Sequence, residues 1–185
     1  MPNWCWNTIE VFDTQEDHPN RDRFYSPEDL DVHVVTPLQK HLPMSEYHKT
    51  HEGYNDGGYE WCIITWGTKW PENDLEIIQN DLSCMEISFE TAWAPPIEGY
   101  QSISMMFPSL YFLHYWSEEG MQFAGCAIYH DGNIVFMKEI EGDEFPEWQD
   151  EYADNPDEWS EKMVDMTNSL VGDAMVTLHQ LMYIE

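Results

Sequence analysis

Apolar and polar residues alternate along several stretches of the chain, and a period of two predicts β-strands. In residues 4–13, for example, Ile9 faces one side and Glu10 the other. The stretches that favour strands are residues 4–13, 59–70, 85–93, 110–116, 121–130 and 133–140. The last two flank the pair Asp131-Gly132, which is typical of a tight β-hairpin.

Spacings of three and four residues predict helices in other parts of the chain. After Pro95 and Pro96, apolar residues recur at this spacing: Ile97, Tyr100, Ile103 and Phe107. Pro108 then ends the predicted helix. A second helix is expected over residues 26–35, where a serine N-cap precedes a first-turn proline. Residues 41–58 contain turn-forming residues and favour a loop.

The order of these elements predicts an α+β fold. It is strand, helix, strand, strand, helix, strand, strand, strand, and the first six spell the β-α-β-β-α-β unit of ferredoxin-like folds. We therefore expect a ferredoxin-like antiparallel sheet with helices on one face. This domain should cover residues 1–140 and carry a C-terminal acidic helical extension, residues 141–185, packed on it.

The extension is defined by two interleaved patterns at helical spacing. The acids are Glu144, Glu147, Glu151, Asp154, Glu158, Glu161 and Asp165. The apolar residues, one position later in most cases, are Phe145, Trp148, Tyr152, Trp159, Met163, Met166 and Leu170. Asn155, Pro156 and Glu158 have the pattern of an N-cap, a first-turn proline and a capping box, which predicts a helix from there to about Tyr183.

Net charge restricts the classes of partner. The chain has 36 Asp and Glu against 7 Lys and Arg, a formal charge of −29. Such a charge repels nucleic acid and anionic membranes, so we expect neither as a partner. A basic protein is the expected partner. The four cysteines contain no C-x-x-C pair, and we find no signal segment or membrane-spanning run. A cytoplasmic protein with free thiols is the corresponding expectation.

Five short phrases, in order, resemble a known family: MPNWC, LPMSEY, WGTKW, FETAWAPP and EEGMQFAG. Together they are similar to the YubB-like proteins of plasmids and phages. The resemblance covers about residues 1–140 and implies a ferredoxin-like domain and a mobile-element origin. That family has no established activity, so the resemblance implies no catalytic residues.

The segment ITWGTKWPEN contains one of the few cations, Lys69, between two tryptophans. If residues 59–70 form a strand beside residues 85–93, Lys69 would lie on the polar face near Glu86 and Glu90. The tryptophans Trp66, Trp70 and Trp93 would then be buried on the opposite face. The alternative is an aromatic pocket, formed by Trp66, Lys69, Trp70 and Trp93, that binds an anionic ligand.

No motif of a known enzyme class occurs, so we expect no catalytic activity and no cofactor. His48 and His51 could hold a metal on one helical turn. Their spacing does not match H-E-x-x-H and no third ligand is evident, so a solvated loop is the competing interpretation.

The acids of the extension are spaced about 5–6 Å apart on a helix, a spacing comparable with the phosphates of DNA. A globule of this length is roughly 40 Å across, and duplex DNA of that length carries about 24 charges, close to the 29 excess negatives here. A solvated helical face is the simpler explanation. However, residues 139–165 contain twelve acids and a single lysine, Lys162.

The sequence thus predicts a non-enzymatic inhibitor from a mobile element that mimics DNA and blocks a nucleic-acid-binding or defence protein of the host. The residues expected to contact this partner are Asp143, Glu144, Glu147, Asp150, Glu151, Asp154, Asp157, Glu158, Glu161 and Asp165. The first alternative is a binding module that uses the Trp-rich strands. The second is an enzyme or metal protein that uses His48, His51 and nearby carboxylates. The identity of the partner and the oligomeric state do not follow from the sequence.

Overall fold

A computed structural model of the chain describes residues 3–13, 38–51, 58–80, 85–146 and 156–183. Its strands are β1 (Trp4–Asp13), β2 (Asn73–Asn80), β3 (Met85–Ala92), β4 (Leu110–Glu118), β5 (Phe123–His130) and β6 (Asn133–Glu141). Its helices are α1 (Leu38–His41), α2 (Glu46–Thr50), α3 (Tyr59–Trp66), α4 (Ile97–Met106) and α5 (Pro156–Tyr183). A 3-10 turn, Gly142–Glu144, follows β6. None of the described helices is long and apolar enough to cross a bilayer.

The strands form one six-stranded sheet in the order β2-β3-β1-β4-β5-β6. Every neighbouring pair is antiparallel. Strands β1 to β4 have the order of a ferredoxin-like unit, with α4 connecting β3 to β4. The hairpin β5–β6 extends the sheet beyond β4. The predicted α+β fold class is therefore confirmed.

One face of the sheet is covered by α3 and α4. Trp66 from α3 and Tyr100 and Ile103 from α4 are fully or almost fully buried against apolar side chains of β1 and β3, including Ile9 and Phe89. The alternation in β1 and β3 is confirmed, because Thr8, Glu10, Glu86, Ser88 and Glu90 lie on the other face, while Asn7 and Thr91 are polar residues on the core face. The helix predicted after Pro96 is confirmed as α4.

The opposite face is covered over β4 and β5 by α5. Leu170, Ala174 and Leu178 are buried there, and the Cys126 thiol donates to the Leu170 carbonyl at 3.2 Å. The described members of the predicted apolar pattern all pack in this second core: Phe145, Trp159, Met163, Met166 and Leu170. The start and end of α5 are as predicted, whereas the domain boundary at residue 140 stays a prediction.

The hairpin expected at Asp131-Gly132 is confirmed. Asp131 has φ 47° and Gly132 has φ 74°, the two left-handed residues that a type I′ turn requires. The turn joins β5 and β6 at the edge of the sheet, and β6 has no further partner strand among the described residues.

Three other predictions of secondary structure are either corrected by the structure or concern residues that it does not describe. The strand predicted over residues 59–70 is wrong, because Tyr59–Trp66 is helix α3. The sheet instead uses the next segment, β2, in which bulges interrupt the period of two. The loop predicted over residues 41–58 contains the short helix α2. The helix predicted over residues 26–35, like Cys84, lies outside the described residues.

Gly67 ends α3 and can be compared with Gly172 inside α5. Gly67 has φ 82° in the left-handed region, and an added Cβ would collide with the Glu98 carboxylate. Gly172 has nothing within 4 Å of an added Cβ. The same chemical change should thus have opposite effects at the two positions.

We expect Gly67→Ala to lower the free energy of unfolding by about 2 kcal/mol. Gly172→Ala should raise it by roughly 0.5–1 kcal/mol, because it removes a helix-interior glycine. Urea unfolding of both variants measures this. Equal effects of the two substitutions would contradict the assigned end of α3.

Candidate partner-binding surface

Lys69 lies among aromatic rings rather than on a strand face. Its side chain is only 7% exposed, and the ammonium lies 4.8 Å from the ring centre of Trp70 and 4.5 Å from that of Trp93. The prediction that Lys69 lies on the polar face near Glu86 and Glu90 is therefore wrong. Favourable contact of a cation with two indoles contributes about 0.5–2 kcal/mol in partly buried sites.

Three of the four predicted pocket residues lie together, because the Lys69 ammonium contacts the rings of Trp70 and Trp93, whereas Trp66 belongs to the first core. Trp66 is buried as expected, and its indole N–H donates to the Leu42 carbonyl at 3.1 Å. Trp70 is 42% exposed, contrary to the prediction of a buried ring, and lies 6.1 Å from Trp4. Trp93 also lines a groove of about 550 Å³, which is described below.

The residues around Lys69 connect separate elements of the fold. Thr68 donates to the Ala92 carbonyl at 2.9 Å. The Glu72 carboxylate accepts from the Leu38 amide at 2.8 Å, at the start of α1, and from the Tyr100 hydroxyl at 3.3 Å. Burial raises the pKa of Glu72. These contacts indicate that the WGTKW segment helps to hold the fold together.

His48 and His51 do not converge on a metal position. The His51 ring stacks on Tyr47 at 4.3 Å and its Nδ1 lies 2.9 Å from the Tyr47 carbonyl. The His48 ring stacks at 6.0 Å on Trp61 instead. Within the described ranges, no group of three or more His, Cys, Asp or Glu side chains is arranged to hold a metal ion.

A buried polar chain crosses the first core, and nothing in the sequence pattern indicated it. Asn7 donates to Thr91 Oγ1 at 2.9 Å and to the Cys5 carbonyl, so its Oδ1 is left to accept from His114 Nε2 at 3.1 Å. His114 Nδ1 then accepts from the Tyr129 hydroxyl at 3.0 Å. Complete burial lowers the pKa of His114 to about 3. The ring is therefore neutral, and both of its nitrogens are hydrogen-bonded inside the core.

Three of the five described lysines make the following contacts within the protein. Lys49 pairs with Glu46 one helical turn away, and Lys138 on β6 binds Asp173 on α5 at 2.7 Å. Lys69 lies between two indoles, as described above. These contacts leave the external surface dominated by carboxylates.

The acids predicted to contact a partner fall into three sets. Asp157, Glu161 and Asp165 are exposed at four-residue intervals on the outer side of α5. Asp143 and Glu144 are exposed in the 3-10 turn after β6, and Glu158 is half-buried at the start of α5. The remaining four lie outside the described residues: Glu147, Asp150, Glu151 and Asp154.

Two acidic features of the sheet were missed by the sequence analysis. Glu10 on β1 lies directly opposite Glu86 on β3, and burial, followed by the charge of Glu86, raises the pKa of Glu10. Glu139 and Glu141 lie on the same side of β6, and the pKa of Glu139 is raised by partial burial and by Glu141. Cross-strand register decides the pairing of Glu10 with Glu86, and single-strand patterns do not give it. The common face of Glu139 and Glu141 follows from the alternation along β6.

Glu139 and Glu141 belong to a groove of about 550 Å³. Its residues come from the ends of α3, β5 and β6 and from the segment that leads into α4. They are Gly67, Trp93, Ala94, Pro95, Ile97, Glu98, Met121, Phe123, Glu139, Ile140 and Glu141. Three carboxylates thus border a mostly apolar depression.

Fold and surface together define an α+β protein with a ferredoxin-like sheet, a C-terminal helix and an acidic exterior. Residues 65–155 match the model of a family described as the ferredoxin-like domain in Api92-like protein. The chain is also similar to the crystal structure of a protein api92 from Yersinia pseudotuberculosis, with 17% sequence identity and a TM-score of 0.47. That alignment covers 57% of this chain and 39% of the api92 chain. Among curated proteins, none matches the chain.

His114 predicts a specific pH dependence of stability. Its folded-state pKa of about 3 lies below the usual 6.5, so between these values the unfolded chain binds more protons. The contribution of neutral His114 to the free energy of unfolding is therefore complete above about pH 6.5 and is lost as the pH falls towards 3. The slope is at most about 1.4 kcal/mol per pH unit.

The matched measurement is urea unfolding of the wild type and of His114→Gln between pH 7 and pH 4. The variant should be less stable at pH 7 but should lose less stability on acidification. Other groups titrate equally in both proteins and cancel in the difference. Parallel pH profiles would show that His114 is not the neutral buried group described here.

Proposed function

We propose that the protein is a non-enzymatic acidic inhibitor that binds the positively charged nucleic-acid site of a basic protein in the manner of a DNA mimic. It binds no nucleic acid itself and acts in the cytoplasm of a host cell. The resemblance to YubB-like proteins of plasmids and phages is the basis for proposing a mobile-element origin and a host defence or DNA-binding protein as target.

The exposed acidic row on α5 supports this proposal most directly. Asp157, Glu161 and Asp165 follow one another at intervals of four residues, or about 6 Å along the helix. The row is held in place because the opposite side of α5 is buried on the sheet through Leu170, Ala174 and Leu178. A fixed row of negative charges presents a basic cleft with a rigid substitute for a phosphate backbone.

An alternative is a binding module that uses the tryptophan-rich segment. The observation in its favour is Trp70, which is 42% exposed beside the half-buried Trp4. Exposed tryptophans are frequent anchors of protein interfaces. This alternative predicts that Trp70→Ala abolishes binding while changes to the α5 acids have no effect.

The α5 acids provide the test of the proposal. The double variant Glu161→Lys and Asp165→Lys should weaken capture of basic DNA-binding proteins roughly tenfold or more, because attraction becomes repulsion. The matched control is Glu60→Lys with Glu76→Lys, two exposed acids on α3 and β2. It carries the same net charge and should bind like the wild type.

Capture should be measured at low salt from host proteins pre-purified on duplex DNA, with duplex DNA then added as competitor. Mimicry requires that DNA displaces the captured protein and that binding weakens steeply with salt. A partner that stays bound in excess DNA, or that binds equally at low and high salt, would contradict the proposal.

A further inference from the structure

The groove bordered by Glu98, Glu139 and Glu141 has the size and lining of a recognition site. Its volume of about 550 Å³ lies within the range of about 300–1,000 Å³ that is usual for ligand sites. Its floor is apolar, with Phe123, Ile97 and Pro95. Its rim includes Met121, which is 59% exposed.

The three carboxylates reach the groove from separate elements that fix their positions. Glu98 lies in the first turn of α4, and its carboxylate lies against Gly67, where a larger residue would collide with it. Glu139 and Glu141 alternate along β6 and so stand on the same face. Glu141 lies opposite Phe123 of β5, which contributes to the floor.

The aromatic wall of the groove is also held rigidly. Trp93 has φ 74°, a left-handed conformation that bulky residues rarely adopt. Its amide donates to the Asn3 carbonyl at 3.0 Å, and the Lys69 ammonium lies over its ring at 4.5 Å. Because Lys69 already contacts this indole, an incoming cation would be recognised mainly by the carboxylates.

The negative charge of the groove is not compensated by the residues that line it. Among the described residues, the lining contains three acids and no Lys or Arg. Elsewhere in that part of the chain, Lys49 and Lys138 are engaged with acids of their own. Like charges held close together are electrostatically unfavourable, and Glu139 stands beside Glu141 on the same face of β6. Binding of a cation would relieve this repulsion.

We propose that this groove receives an arginine side chain of a basic partner protein. The planar guanidinium can donate to two carboxylates at once while its flat surface lies on the apolar floor. A lysine ammonium is more strongly hydrated and has no such surface, so arginine is favoured. The inference rests on the proposed function in so far as the partner is basic, but it can be tested without knowing the partner.

The probe is a blocked glycine-rich peptide with one central arginine, compared with the same peptide carrying lysine, citrulline or norleucine. The readout is the NMR shift of the Trp93 indole N–H, assigned with Trp93→Phe. The arginine peptide should cause a saturable shift, the lysine peptide a several-fold weaker one, and the two uncharged peptides none. An equal response to citrulline or to norleucine would overturn the proposal.

The matched variants are the triple change Glu98→Gln, Glu139→Gln and Glu141→Gln and the control triple change Glu46→Gln, Glu60→Gln and Glu76→Gln. Both remove the same charge and keep side-chain size. We expect at least a tenfold loss of affinity for the arginine peptide in the first variant and an unchanged affinity in the second. An equal loss of affinity in both variants would mean that the peptide is attracted only by the net charge of the protein. That result would overturn the proposed arginine site.

The two proposals can fail separately. If the arginine peptide binds in the groove but the α5 reversals leave capture of DNA-binding proteins unchanged, the groove stands and DNA mimicry fails. If the α5 reversals abolish capture while the groove variant binds the arginine peptide like the wild type, the acidic inhibitor stands and the arginine site is refuted.

Discussion

The neighbouring strands β4 and β5 are apolar on both faces, and the rest of the architecture depends on this constraint. Phe112 and Leu113 are adjacent in β4 and both fully buried, one in each core. A strand of this kind requires cover above and below. Helix α4 covers one face and α5 the other, so α5 is fixed with its polar side outward and its acids on the surface.

The charge distribution follows from the same packing. A net charge of −29 destabilises a compact chain through self-repulsion, and two of the lysines lie where they connect separate parts of the fold. Lys138 ties β6 to α5 through Asp173, and Lys69 fixes the segment after α3 against Trp70 and Trp93. Acids therefore remain on the outer side of α5 and around the groove. The fold provides few positive charges near these acids, and a basic partner would supply them.

The sequence predicted the elements with a clear period and missed those whose position depends on tertiary contacts. Strands β1 and β3, helix α4 and the long helix α5 were recognised from spacing and caps. Helix α3 was mistaken for a strand because its residues are aromatic and β-branched, which favours strands locally. Two signals could have identified it: Gly67 as a C-terminal cap, and Cys62 and Trp66 buried one turn apart.

The candidate site was predictable only in part, for a related reason. The acids of α5 form a repeat along the chain, so their common face was visible in the sequence. The groove carboxylates come from residues 98, 139 and 141, and the buried chain through Asn7 and His114 joins residues 107 positions apart. Such proximity is set by strand register and sheet order, which no local period encodes.

The positions of the acids also limit the size of any DNA-like footprint. On the outer side of α5 the acidic row ends at Asp165, and from Met166 to Tyr183 the single acid is Asp173, which is paired with Lys138. The described part of this region, residues 139–146 and 156–165, contains eight acids, which is the charge of about 14 Å of duplex DNA, or roughly four base pairs. Glu119 and Met163 line one small groove, while Phe123 lies opposite Glu141, so the start of α5 and the end of β6 belong to the same end of the sheet. A partner that binds this surface as it binds DNA would therefore contact the described acids at one end of the molecule over less than half a helical turn of duplex, with the proposed arginine groove at the border of that contact.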